Sequence, residues 1–117
     1  MNFFEKLFGA PVPTLDVSDV QEKLKYGRHP IILDVRQPGE FLQGHVSGAR
    51  LIPLGELDRR MKELPTEREI VCVCANGHRS VTAARKLIAA GYKASSMKNG
   101  MTDWKRAKYA IKKGSAS

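Results

Sequence analysis

The sequence predicts an α/β fold: a parallel sheet covered by helices on both faces. Three observations predict it. Short apolar, β-branched runs alternate with amphipathic segments along the whole chain, the pattern of right-handed βαβ crossovers. The two strongest runs, residues 31–35 and 69–74, are of the buried-strand type. Finally, 117 residues with 42% hydrophobic and 27% charged side chains make one ordinary globular domain.

The elements follow in order. Residues 1–13 form an N-terminal extension whose Phe-rich start reads as a short amphipathic turn, broken off by Pro11 and Pro13. Ser18 with Gln21 three residues later matches a capping box, so a helix is expected over about 19–26, ended by Gly27. Pro30 precedes the strand at 31–35. Pro38 suits the first position of a brief helix running to Gln43. Residues 49–52 read as a short strand stopped by Pro53, followed by a helix near 54–62. Residues 69–74 are the strongest strand, rich in β-branched side chains. After a glycine-containing loop, Ala83, Ala84, Leu87 and Ile88 mark a helix over 80–90, closed by Gly91. A weak strand at 94–98 and a helix over about 101–108 complete the domain, and the tail is expected to be disordered.

Composition excludes several classes. No apolar run approaches the roughly 20 residues of a membrane span, so stable membrane insertion is not expected. The N-terminus has an acidic residue and no apolar core of signal-peptide length. Two cysteines are too few for a disulfide framework, and as i and i+2 on a strand they are poorly placed to bridge each other. Two free thiols fit a reducing compartment, and the cytoplasm is the expected location. Three scattered histidines make no metal site, and no cofactor is implied. The net charge of +8 is uneven: residues 1–58 carry −2 and residues 59–117 carry +10. A basic half points to an anionic partner. No aromatics interleave with the basic residues, so nucleic acid is not the expected one. Arg85, Lys86 and Lys98 are the basic residues expected to draw small anions toward the loop described next.

The chemistry concentrates at Cys74, Ala75, Asn76, Gly77, His78, Arg79 and Ser80, between the best strand and the best helix. Ligands bind at the carboxyl ends of strands in open α/β sheets. A cysteine there, before a helix N-terminus, meets backbone N–H groups that form an anion nest and a dipole that favours the thiolate. Gly77 supplies positive φ and Arg79 a fixed positive charge. His78 is a candidate general base by its place in the loop, but its side chain is expected to face outward while its N–H lines the nest. Cys72 lies inside the strand and is expected to be core.

This loop resembles the active-site loop of rhodaneses, the single-domain sulfurtransferases. A second stretch is similar to the same family's upstream signature: Leu33-Asp34-Val35-Arg36, Glu40-Phe41, Gly44-His45-Val46-Ser47-Gly48-Ala49 and Ile52-Pro53. A third match is Gly100 with Trp104; the family commonly has two glycines where this chain has Asn99-Gly100, a departure expected to touch no chemistry. The resemblance covers residues 14–111 as the domain, leaving 112–117 as the tail. It implies a five-stranded parallel sheet with helices on both sides. It also implies a Cys74 persulfide that takes sulfur from a small anionic donor such as thiosulfate. That sulfur passes to cyanide, a cellular thiol or another thiophilic acceptor. Residues 75–80 would bind the substrate, and Asp34, Arg36, Glu40 and His45 would tie the upstream loop together rather than act in catalysis.

Two other readings stand beside it. Some phosphatases share the fold, with five residues between their cysteine and arginine. Here four separate Cys74 from Arg79, a smaller cradle that suits one sulfur atom better than a phosphate. A sulfur-relay or regulatory module with a protein sulfur acceptor would use the same persulfide.

Overall fold

Side chains that alternate along two central strands build two cores, and these fix the layers. A computed structural model describes residues 2–9, 11–27 and 29–115. The strands are β1 (Thr14–Leu15), β2 (Ile31–Asp34), β3 (His45–Val46), β4 (Arg50–Leu51), β5 (Glu69–Val73), β6 (Lys93–Met97) and β7 (Ile111–Lys112). The helices are α1 (Phe3–Phe8), α2 (Val17–Lys25), α3 (Pro38–Gln43), α4 (Leu57–Arg60), α5 (His78–Ala89) and α6 (Gly100–Arg106). The five-stranded parallel sheet has the order β1-β6-β5-β2-β4. Leu33 pairs with Cys72, and Cys72 with Ser96, so β5 lies between β2 and β6.

The two faces of this sheet bury different sets. Ile31, Leu33, Ile70 and Cys72 pack with Leu57 of α4 and with Ala83, Ala84 and Leu87 of α5. Ile32, Val71 and Val73 face the other way, onto Val20 of α2, Phe41 of α3 and Met101 and Trp104 of α6. Helices thus cover both faces, as the alternation of elements predicts. Burial on both faces also explains why β2 reads as continuous apolar sequence.

Several boundaries differ from the expectation. Helix α2 starts two residues early, because Asp16 rather than Ser18 takes the cap: its N–H donates to the Asp19 carboxylate at 3.3 Å. The expected helix over 54–62 is broken into a 3₁₀ turn at Leu54–Glu56, α4, and a second 3₁₀ turn at Met61–Glu63. Leu57 is the one buried side chain within these three pieces, so packing imposes no continuous register. The antiparallel pair β3–β7 is not foreseen, since two-residue bridges carry no periodicity. It ties part of the expected tail to the domain: Lys112 pairs with His45, and the Gly114 N–H donates to the Leu42 carbonyl at 2.9 Å. The last two residues of that tail, Ala116 and Ser117, lie outside the described residues. At the other end, α1 is capped by Asn2, whose side chain accepts the Glu5 N–H at 2.8 Å.

Candidate active site

Strand β5 delivers Cys74 one residue beyond its end, and the chain then turns at once. Gly77, at φ 94°, caps α5 in a conformation that favours glycine. The turn folds the following N–H groups back over the sulfur. Gly77 N–H donates to Cys74 Sγ at 3.1 Å and Ser80 N–H at 3.3 Å. The thiol and the Ser80 hydroxyl are 3.3 Å apart, the thiol donating. On ionisation the hydroxyl becomes the donor. Ser80 Oγ also lies 2.8 Å from Ser96 Oγ on the neighbouring strand, which fixes its rotamer. Burial pushes the Cys74 thiol up, but the Ser80 hydroxyl and N–H and the Gly77 and Asn76 N–H groups together outweigh it. The net effect holds Cys74 below the ordinary thiol range.

Within the loop, two expectations change. The His78 N–H is taken by Asn76 Oδ1 at 3.3 Å instead of lining the nest, although its side chain is exposed as expected. Helix α5 begins at His78, two residues earlier than expected, so Arg79 sits in its first turn. Arg79 is not a free charge beside the sulfur. It forms a bidentate pair with Glu40 at 2.8 and 2.9 Å, and that hydrogen-bonded pair draws the Glu40 carboxyl down to about 2.

The upstream cluster divides into two tasks. Asp34 and Arg36 are 1% and 3% exposed and form a buried pair. Arg36 Nη2 donates to Asp34 at 2.8 Å and to the Gly44 carbonyl at 2.8 Å, tying the end of β2 to the end of α3. His45 is buried, stacked on Phe41 with ring centroids 3.7 Å apart, and its Nδ1 lies 2.8 Å from the Phe41 carbonyl. Asp34, Arg36 and His45 therefore brace the upstream loop. Glu40 instead reaches across to the cysteine loop through Arg79.

Sequence reasoning misses the floor of the loop. The N-terminus of α6 packs under it: Met101 N–H donates to the Cys74 carbonyl at 2.9 Å and Thr102 N–H to the Ala75 carbonyl at 3.0 Å. The Thr102 hydroxyl donates to that same Ala75 carbonyl, also at 3.0 Å. These bonds hold the carbonyls away from Sγ. Gly100, at φ 53°, touches the Cys74 carbonyl so closely that a Cβ there would collide with it. Asn99 adopts φ 57°, a left-handed conformation that asparagine tolerates in place of the family's first glycine. The Asn99-Gly100 turn thus bears directly on the cysteine loop, contrary to expectation. The signal that could have found it is the lone Gly100 before a helix, opposite a strand end.

Cys72 is buried in the core, where desolvation, and then the neighbouring Cys74, push its thiol up to about 12. Trp104 is buried, donating from Nε1 to the Ala110 carbonyl at 3.0 Å. Among the described residues no group of three or more His, Cys, Asp or Glu could hold a metal ion, and no helix is long and apolar enough to cross a membrane. Of the basic residues expected near the loop, Lys86 is engaged by Asp58 at 3.0 Å and the Arg85 side chain lies against Gly9. Lys98 is exposed next to Asn99, whose backbone packs against Gly77 of the loop, and a further cation beside the loop is Lys105 of α6. It lines a pocket of about 300 Å³ that also reaches Ala75, Arg36 and Glu40.

Known proteins match this arrangement. The profile of the rhodanese-like domain family matches residues 16–107. The chain is 35% identical over 94 residues to the putative sulfur carrier protein YrkF of Bacillus subtilis, covering 80% of this chain and 51% of that one. It spans only about half the length of that relative. It is 29% identical over 96 residues to a sulfurtransferase of Allochromatium vinosum, covering 81% and 90%. Among solved structures, the thiosulfate sulfurtransferase of Pseudomonas aeruginosa superposes with a TM-score of 0.82 at 27% identity, over 90% of this chain and 21% of that one.

Proposed function

The chain belongs to the rhodanese-like domain family, and from that premise we propose that it moves sulfane sulfur through a persulfide on Cys74. The observation that carries this reading is what surrounds Sγ: two backbone N–H groups donating at 3.1 and 3.3 Å, and at 3.3 Å a hydroxyl that accepts from the thiol and turns donor once the sulfur is ionised. Such donors stabilise an anion on sulfur, both the thiolate and the persulfide that replaces it. In the first half-reaction the thiolate attacks the outer sulfur of thiosulfate. An S–S bond forms on Cys74, the donor S–S bond breaks, and sulfite leaves with the electron pair. In the second, a nucleophile such as cyanide or a thiolate attacks the outer sulfur, and Cys74 departs as thiolate. Splitting the transfer through a covalent intermediate replaces one hard step by two easier ones.

Asn76, Gly77 and Ser80 hold the anion through their backbone N–H groups, joined by the Ser80 hydroxyl. Asp34, Arg36 and His45 position the upstream loop, and Glu40 anchors Arg79. Thiosulfate as donor is supported by the likeness to the Pseudomonas enzyme. A relay to a protein acceptor is the second reading, favoured by the likeness to a putative sulfur carrier. Both use the same persulfide. Phosphate hydrolysis ranks below them because four residues, not five, separate Cys74 from Arg79. Two unpaired cysteines suit a reducing compartment, which supports the cytoplasm as the location of this chemistry.

The test is turnover. Purified protein should produce thiocyanate from thiosulfate and cyanide and leave a phosphomonoester intact. Persulfide formation without turnover on cyanide, but with transfer to an added acceptor protein, would select the relay. Phosphate release without any sulfur loading would overturn both.

A further inference from the structure

We propose that Lys105 selects the acceptor, and that the pocket beside the cysteine loop takes a small thiol carrying one negative charge. This rests on the persulfide reading of Cys74 and adds the chemistry of the second substrate. The pocket is lined by Ala75, the residue after Cys74, and by Met101, Thr102 and Lys105 of α6, together with Arg36 and Glu40.

Its charges cancel except for one. Arg36 is neutralised by Asp34 at 2.8 Å, and the Glu40 carboxylate is consumed by Arg79 in a bidentate pair. Lys105 is exposed, and among the described residues its ammonium has no ion-pair partner. The pocket therefore offers a single uncompensated positive charge, the match for one carboxylate. That charge argues for the acceptor rather than the donor, because thiosulfate is a dianion whereas the tail of a carboxylate thiol carries one negative charge. At about 30 Å³ per water, 300 Å³ holds roughly ten waters. That leaves room for a small organic thiol beside Ala75 with its carboxylate toward Lys105. Bound so, the acceptor thiolate attacks the outer sulfur of the Cys74 persulfide. A new S–S bond forms on the acceptor, the bond to Sγ breaks, and Cys74 leaves as thiolate.

The experiment compares three thiols of similar size as acceptors: mercaptopropionate, mercaptoethanol and cysteamine, with tails that are anionic, neutral and cationic. Each is measured with wild type, Lys105→Arg, Lys105→Gln and Lys105→Glu, with thiosulfate as donor. Each thiol is its own reference across the variants, so differences in thiol basicity cancel. Lys105→Glu should raise KM for mercaptopropionate about tenfold, lower it for cysteamine, and leave mercaptoethanol unchanged, the size expected for a charge reversal in an open, screened site. Lys105→Gln should give about a third of that change, and Lys105→Arg should retain the wild-type order. Lys93→Glu, the same charge change at the opposite end of β6, should move none of them. Three results would overturn the inference: no change in the order of acceptors, an equal change for all three thiols, or an effect confined to KM for thiosulfate. Wild-type protein that loads sulfur on Cys74 but passes it to none of the three thiols would overturn the inference as well, whereas wild type that takes up no sulfur from thiosulfate would overturn instead the persulfide reading on which it rests.

Discussion

Cys72 and Cys74 stand two residues apart, point to the same face of the sheet and belong to the same core cluster, yet their surroundings drive their thiols in opposite directions. Both are 0% exposed. Exposure therefore does not distinguish them. What differs is the supply of donors. Cys72 pairs its backbone with Leu33 and Ser96 in the sheet interior, and its sulfur meets apolar side chains. Cys74 lies just past the last residue of β5, where the chain turns and its N–H groups are released from the ladder to face the sulfur. The comparison teaches that the end of a strand, rather than the cysteine itself, makes the candidate nucleophile.

The largest way to break this contrast is to deform the floor under Cys74. Gly100→Ala should collide with the Cys74 carbonyl and force a left-handed backbone on alanine, which costs about 1–2 kcal/mol before any clash is counted. Thermal unfolding should shift down strongly, and sulfur loading should fall even in the folded fraction, while Cys72 stays buried. A smaller change removes one donor. Ser80→Ala deletes the hydroxyl at 3.3 Å from Sγ. Loading by thiosulfate should slow roughly tenfold to a hundredfold, by analogy with lost oxyanion donors, and the pH midpoint of Cys74 alkylation should rise toward the free-thiol value of about 8.5.

The same contrast sharpens from the other cysteine. Cys72→Ser places a hydroxyl in an apolar core, so stability should fall by about 1–3 kcal/mol, measured by denaturant unfolding. Loading of Cys74 should be retained. Loss of loading in a folded Cys72→Ser protein would mean that the strand interior takes part in the chemistry.

The smallest effect concerns the tie between α3 and the cysteine loop. The Glu40 carboxyl is lowered from 4.5 to about 2, chiefly by its hydrogen bonds from Arg79. A depressed carboxyl contributes stability that is fully present above about 4.5 and is lost as pH falls toward about 2. Both partners are about one-third exposed, so water screens the pair and its worth is about 1 kcal/mol or less. Melting temperature followed across that window should drop more for wild type than for Glu40→Gln. Parallel curves would show that the pair contributes nothing.

Most of the fold was legible because parallel strands buried on both faces leave continuous apolar runs, as at 31–34 and 69–73. The cysteine loop was legible for the same reason: strand, loop and helix are adjacent in sequence. What escaped is what the chain assembles from afar. Glu40 and Arg79 lie 39 positions apart, and Thr102 reaches Ala75 across 27. No local pattern reports either contact, although all four residues were available to inspection. The β3–β7 pair escaped because two residues are too few to show a period. Lys105 escaped because a basic half gives the sum of its charges but not which of them remain unpaired.

The most direct test of the contrast is site-resolved mass analysis after brief exposure to thiosulfate, comparing wild type with Cys74→Ser and Cys72→Ser. The account predicts a gain of one sulfur atom on the peptide of wild type and of Cys72→Ser, and none on Cys74→Ser. Sulfur carried by Cys72 when Cys74 is replaced would contradict it.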